Sequence, residues 1–333
     1  MVGCWAELRG DWKFLWQTLR LKQYYGTNYI CHLCRAHKCI SRLRFTNFAR
    51  TARHRNTLVD SDLWQRWYSG SDNASPLLLI PGFCVWHVLF DMMHVLDLGV
   101  YQTVVPSAMW ELSEPGAGIW AEGNRQARFD NAYLDYRKWC KDKKVKAVIR
   151  KRFNVSQWRK TASSYPRITQ NVAKAAALRS MVYWVHEVCA EHAKAAGDHG
   201  RLRATMFAAF VRADLVCREA GRHLSHAQRQ ALGDNIEAAL VCNNALAAAA
   251  LKANKRLWKL VPKHHALSHI GFDYGINPRS THCYRDEDMV GRCKRVYVRC
   301  HGKTAPRTAL LRYCIMICVR WWEEQRVLMD LPA

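Results

Sequence analysis

A predominantly helical protein with a minor strand component is what this sequence predicts, and three observations predict it. Apolar stripes at helical spacing fill the middle of the chain, from Ala173 to about Trp258. Short apolar runs bounded by turn residues, Leu77 to Ile80 first among them, suit buried strands. Residues with metal-ligand chemistry stand at both ends, a Cys pair early and a His cluster late, with acids spaced alike outside them. The two ends are therefore expected to meet in space, with the helical middle inserted between them.

Taken in order, Leu8-Arg-Gly-Asp11 reads as a turn into a helix carrying Trp12, Leu15, Trp16 and Leu19 at helical spacing. Asp11 suits the N-cap of that helix. Residues 41–75 are basic and aromatic, a composition suited to phosphate contact and base stacking, and equally to a solvated loop. Ser69 to Pro76 is turn chemistry. Leu77 to Ile80 is a candidate strand stopped by Pro81-Gly82, and Val85 to Leu89 suits a further strand or a helix start. Asp91 and His94 follow, three apart, on one face if the segment is helical. Such a pair suits acid–base or phosphate chemistry, or a buried His bonded to a carboxylate.

Beyond the break at Glu114 to Gly118, Arg128 to Lys151 forms a basic helix interleaved with Tyr133, Tyr136 and Trp139. Helices are expected over Ala173–Ala196 and Leu202–Glu219, and from the capping box Ser225-His-Ala-Gln228 to about Trp258. Stripes on such helices face a core by default. Pro262 is read as the end of the last one. His265 and His269, at i and i+4, share a helical face, and His264 with His269 is the other workable pair. A loop spans Gly271 to Pro278, the acids Asp286, Glu287 and Asp288 stand together, and a terminal helix covers Thr308 to Glu324.

Composition narrows the function. The chain has 333 residues, with 51 Lys and Arg against 27 Asp and Glu, a formal net charge of +24. A basic excess spread along the whole length points to a polyanion, most often nucleic acid. The 14 Cys are scattered, unlike a disulfide scaffold. The N-terminus lacks a long apolar signal core, and no run approaches the roughly 20 apolar residues of a membrane span. A nuclear or cytoplasmic, non-secreted and non-membrane protein is expected, with homo-oligomerisation left open.

Cys31-His-Leu-Cys34 is half of a zinc site, since two thiolates three residues apart take one edge of a tetrahedral ion. The other half is either distant, from His264, His265 and His269, or local, from His37 and Cys39. The order Gly10-Asp11, Cys31-x-x-Cys34, Asp91-x-x-His94, a helical insertion, Lys263-His264-His265-x-x-x-His269, then Glu287 resembles DDE-type cut-and-paste transposases of the hAT, CACTA and Transib groups. The resemblance covers roughly residues 8 to 300. It implies an α/β fold, a partial RNase H-like core split by a large all-α insertion and predominantly helical overall. Its parts would be 1–112 with the Cys pair, 113–260 as the insertion, and 261–333 with the His pair and an acid.

By that resemblance Asp11 corresponds to the second catalytic carboxylate and Glu287, or Asp286 or Asp288, to the third. Asp91 and His94 match the Asp-x-x-His motif. Cys31 and Cys34 with His269 and His264 or His265 match a structural zinc site. The reaction implied uses two Mg²⁺ ions held by carboxylates. The first acid of the family has no counterpart among the ten residues before Asp11, so a DNA-binding chain that does not cut DNA alone is expected. A zinc-stabilised nucleic-acid-binding or interaction protein without catalysis is the alternative.

Overall fold

Leu8–Gly10 forms a strand, β1, and Asp11 turns the chain directly into helix α1, Trp12–Leu19, in the computed structural model of the protein. Residues 8–60, 62, 74–117, 119–120 and 123–329 are described, without the side chains at 79, 285–288 and 324–329. Asp11 is the N-cap, its Oδ1 accepting from the Phe14 amide at 2.6 Å, and Trp12, Leu15 and Leu19 turn inward as their spacing requires. The strand β2, Val88–Phe90, is buried and pairs in parallel with β1, Gly10 opposite Phe90. Two strands of three residues are the whole sheet among the described residues. A pair so short does not by itself identify an RNase H-like core.

The chain between these strands differs from expectation. Leu77 to Ile80 is not a strand but lies in a tight 3₁₀ turn, Pro76–Leu79. Pro76 presets φ for a turn, and the Ser75 hydroxyl accepts the Leu77 amide, which outweighs the apolar composition. Val85–His87 is a second such turn leading into β2. Met93–Val100 then winds as a wide π-type helix that runs into α2, Tyr101–Leu112, buried on nearly every side.

The helical middle keeps most of its sequence pattern, but the basic stretch read as a helix to Lys151 stops at Asp142, where Lys144 turns left-handed (φ 54°). It contains α3, Arg125–Asp142; the one-turn α4, Val155–Trp158; α5, Ala175–Glu191; α6, Gly197–Glu219; and α7, His226–Lys252. Leu178, Met181 and Val185 on α5, Phe207 and Phe210 on α6, and Leu232, Ile236 and Leu240 on α7 meet in one core. Rings from α3 to α5, namely Phe129, Tyr136, Phe153, Trp158 and Trp184, pack at centroid distances of 4.9 to 6.2 Å. The Ser225–Gln228 capping box is formed in both directions.

Helix α7 stops at Lys252, short of Trp258. Asn254 adopts a left-handed conformation (φ 53°), its amide bonds Leu251 O, and the Lys255 amide bonds Ala250 O at 2.7 Å. That is a Schellman stop, and Asn tolerates the left-handed position. Trp258 is buried as an anchor beyond the helix, its indole N–H donating to Glu111 at 2.7 Å. Pro262 begins the next helix, α8, Pro262–Phe272, instead of ending the previous one. Proline suits the first helical position because the amide it lacks would be unbonded there.

Residues up to His282 form one compact unit and those from Cys283 onward a second. The second holds α9, Tyr284–Tyr297, and α10, Ala305–Met329, which pack on each other. No helix among the described residues is long and apolar enough to cross a membrane.

Candidate metal centre

The Cys pair lies in a loop with little regular structure, so local bonds must hold its shape. The Ile30 amide donates to Ala36 O at 3.0 Å, the Leu33 amide to Cys31 Sγ at 3.3 Å, and the Val59 amide to Leu33 O at 3.0 Å. These bonds turn both sulfurs inward, and Cys31 and Cys34 are fully buried. Helix α8 delivers the opposite half. Its 3.6-residue period sets His265 and His269 one above the other, both with no exposed surface.

The four ligand atoms converge. Cys31 Sγ lies 3.3 Å from His269 Nε2, Cys34 Sγ 3.3 Å from His265 Nε2 and 3.6 Å from His269 Nε2, and the two Nε2 atoms are 3.1 Å apart. Zn–S bonds of about 2.3 Å and Zn–N bonds of about 2.0–2.1 Å place tetrahedral ligand atoms roughly 3.3–3.8 Å apart. The sulfur–nitrogen separations fall in that range and the two nitrogens lie slightly closer, so the buried quartet Cys31, Cys34, His265 and His269 has the donor set and nearly the spacing to hold a metal ion such as zinc.

Asp273 and Arg55 support the quartet from outside. Asp273 Oδ2 accepts from His269 Nδ1 at 2.6 Å, and Asp273 Oδ1 accepts from Arg55 Nη2 at 2.6 Å. The carboxylate fixes the His269 tautomer so that Nε2 faces the centre, the usual arrangement around a metal-binding His. The Arg55 guanidinium also stacks on Phe272, 4.6 Å from the ring centroid. Burial alone would raise Asp273, but the hydrogen bond and charge of His269, with Arg55, hold its pKa below the ordinary value.

Charge inside the centre is arranged to match. Burial works against a charged His269, yet the Cys31 thiolate and Asp273 hold its pKa up to about 9. Burial likewise opposes the Cys31 thiolate, but the Cys34 hydrogen bond and the His269 charge take Cys31 well below a free thiol. Cys34 moves the other way, pushed up by burial and by the Cys31 sulfur. A metal ion binding here would displace the protons still held, those of the Cys34 thiol and the His269 imidazolium.

The local alternative is not assembled. His37 Nδ1 accepts the amides of Cys39 and Ile40 at 2.9 Å each, and Cys39 is exposed. Of the two candidate histidines, His264 turns away, its Nδ1 accepting the Val261 amide at 3.1 Å, and His265 enters the quartet.

The acids expected at a catalytic centre take the following positions. Asp11 and Asp91 leave the C-terminal ends of the paired strands β1 and β2, one residue beyond the Gly10–Phe90 register. Asp11 caps α1. Asp91 is buried, its Oδ2 accepting from the His94 amide at 2.9 Å and from His94 Nδ1 at 2.6 Å. Lys263 reaches the same region from α8, its Nζ donating to His94 O at 2.6 Å and Leu98 O at 3.0 Å. Burial and then Arg167 lower its pKa to about 8, against the pull of Asp11 and Asp91. The side chains of Asp286, Glu287 and Asp288, on α9, lie outside those described. No group of three carboxylates able to hold Mg²⁺ gathers among the described residues.

Sequence reasoning misses Asp273, and it places Arg55 only within the basic stretch 41–75 suited to phosphate contact, not beside the metal centre. Asp273 carried a signal, since an acid four residues after a helical metal-type His lies on its face. Arg55, 218 residues away in sequence from Asp273, carried none. Comparison of the chain with protein-family models, with curated proteins and with solved structures finds no match.

Proposed function

We propose that this chain is a transposase-derived DNA-binding protein whose two ends are joined by one structural zinc ion, and that it does not cut DNA by itself. The observation that carries this reading is the meeting of Cys34 with His265, 231 residues apart in sequence, in one buried Cys₂His₂ set. A self-contained zinc module takes its four ligands from a short segment. A set closed across a helical insertion suits the order of motifs that resembles DDE transposases. The parallel strands leading into Asp11 and Asp91 are of a kind with a partial RNase H-like core.

The net charge of +24 supplies the attraction for DNA. Of the three carboxylates that such a centre uses, the resemblance matches two, Asp11 and Glu287, and two acids hold a metal pair poorly. Binding without cleavage is the activity proposed for this chain alone.

The test pairs fluorescence anisotropy on a labelled duplex with nicking of supercoiled plasmid in Mg²⁺. Salt-dependent binding with intact plasmid is the expected result. Failure to bind at low salt would remove the DNA reading, and robust Mg²⁺-dependent nicking would remove the claim of inactivity.

A further inference from the structure

Several arginines of this chain are neutralised by carboxylates. Arg50 pairs with Asp234 and Glu237, Arg55 with Asp273, Arg203 with Glu111, and Arg279 with Asp214. One cluster is built differently. Arg125, Arg128 and Arg159 converge near Trp110 at the end of α2, and their hydrogen bonds go mainly to backbone carbonyls. Arg125 Nη1 donates to Trp110 O at 2.7 Å and to the Ser113 hydroxyl at 3.3 Å. Arg128 donates from Nε to Ser113 O at 2.6 Å and from Nη1 to Gly123 O at 2.5 Å. Arg159 donates to Thr161 O at 3.3 Å and to Ala162 O.

A carbonyl orients a guanidinium without neutralising it. No carboxylate among the described residues forms an ion pair with any of the three, and the acid whose charge reaches Arg125, Glu114, is itself bonded to Lys255 at 3.1 Å. Two of the guanidiniums also lie on the Trp110 ring, at 4.2 Å for Arg125 and 4.9 Å for Arg159. Ring and carbonyls together hold three like charges close to one another and only partly buried. Holding them so is unfavourable in the free protein and becomes favourable when an anion arrives. Arginine offers five donors in a planar fork, and the bonds described leave Nη2 of Arg128 and Nη1 of Arg159 for a ligand.

We propose that Arg125, Arg128 and Arg159, set around Trp110, form a docking surface for consecutive phosphates of a DNA backbone. The proposal deepens the DNA-binding reading above and rests on it. The surface belongs to the helical middle of the chain, away from the zinc quartet in sequence, so it contacts DNA without taking part in metal binding. Backbone contacts of this kind position a duplex and read no bases.

The test measures duplex affinity by anisotropy from low to moderate salt for wild type, R128Q, R159Q and the double variant, with R201Q as a control whose arginine is paired to Asp198. Each phosphate contact contributes about 0.9 to the slope of log affinity on log salt, so each single variant should lose about 0.9 of slope and the double variant about 1.8, and between 50 and 200 mM salt their affinities should fall about three- to fourfold and about twelvefold less than wild type. R201Q should match wild type. R159K, which keeps the charge, should keep the slope. Wild-type slope and affinity in R128Q, R159Q and the double variant, with unchanged melting temperature, would overturn this surface and leave the DNA-binding reading standing. Equal loss in R201Q would replace it with diffuse attraction. Absence of wild-type binding would overturn both. A variant that melts early is replaced by R159K and R159E, whose difference in slope reads the charge alone.

Discussion

His269 makes the most contacts of the four ligands, reaching both sulfurs and His265 through Nε2 and Asp273 through Nδ1. Removing the Asp273 carboxylate leaves the quartet intact and frees the ring to turn. Asp273→Ala is expected to weaken zinc affinity about 10- to 100-fold in competition with a chromophoric chelator, and unchanged affinity would deny it an orienting role. Glu111 governs a second prediction. Burial alone would raise its pKa, but the His199 hydrogen bond and charge, with Trp258 and Arg203, outweigh burial and lower it. The folded protein therefore holds this proton less readily than the unfolded chain. The stability so gained is complete above the unfolded carboxylate value of about 4.3 and is lost as pH falls through the folded value. Glu111→Gln should lower the melting temperature at neutral pH and flatten its fall on acidification; parallel curves for the two proteins would contradict this. At this scale the sequence was informative wherever spacing alone carries the chemistry, as in Cys31-x-x-Cys34 and His265-x-x-x-His269. It left His264 and His265 open because both lie within one helical turn of Val261, and the choice is made by the backbone bond His264 forms there.

Elements were legible where local signals agree and obscure where they compete. The Ser225–Gln228 box and the stripes of α5, α6 and α7 repeat one message at several positions. Leu77 to Ile80 carries two, strand-like composition against Ser75-Pro76 turn chemistry, and Pro262 suits a helix start as well as a stop. The caps give a test at this level. Ser225→Ala should destabilise the protein by about 1 kcal/mol in chemical denaturation, since it leaves the Gln228 amide without its partner. Asp11 separates the cap from the charge. Asn caps as well as Asp, so Asp11→Asn should keep full stability whereas Asp11→Ala should lose about 1 kcal/mol. Equal loss in both would show that the charge of Asp11, rather than its cap, matters to the fold.

For the whole molecule, the meeting of the two ends was the reading that depended most on long-range order, and the first unit brings them together at the quartet. The sheet was least legible, because three-residue strands are set by tertiary pairing more than by their own residues. Much of the loop from Arg20 to Asp60 has no regular structure and lies against the Cys pair, so its order should depend on the metal. Chelation is expected to open it to limited proteolysis while α5, α6 and α7, which keep their own core, persist longer. The most direct measurement is the metal content of purified protein, wild type beside H269A, H264A and C39S. One tightly bound zinc per chain, lost in H269A and kept in the other two, is the expected result. Zinc kept without His269, or absent from wild type, would contradict the joining of the two ends by one ion.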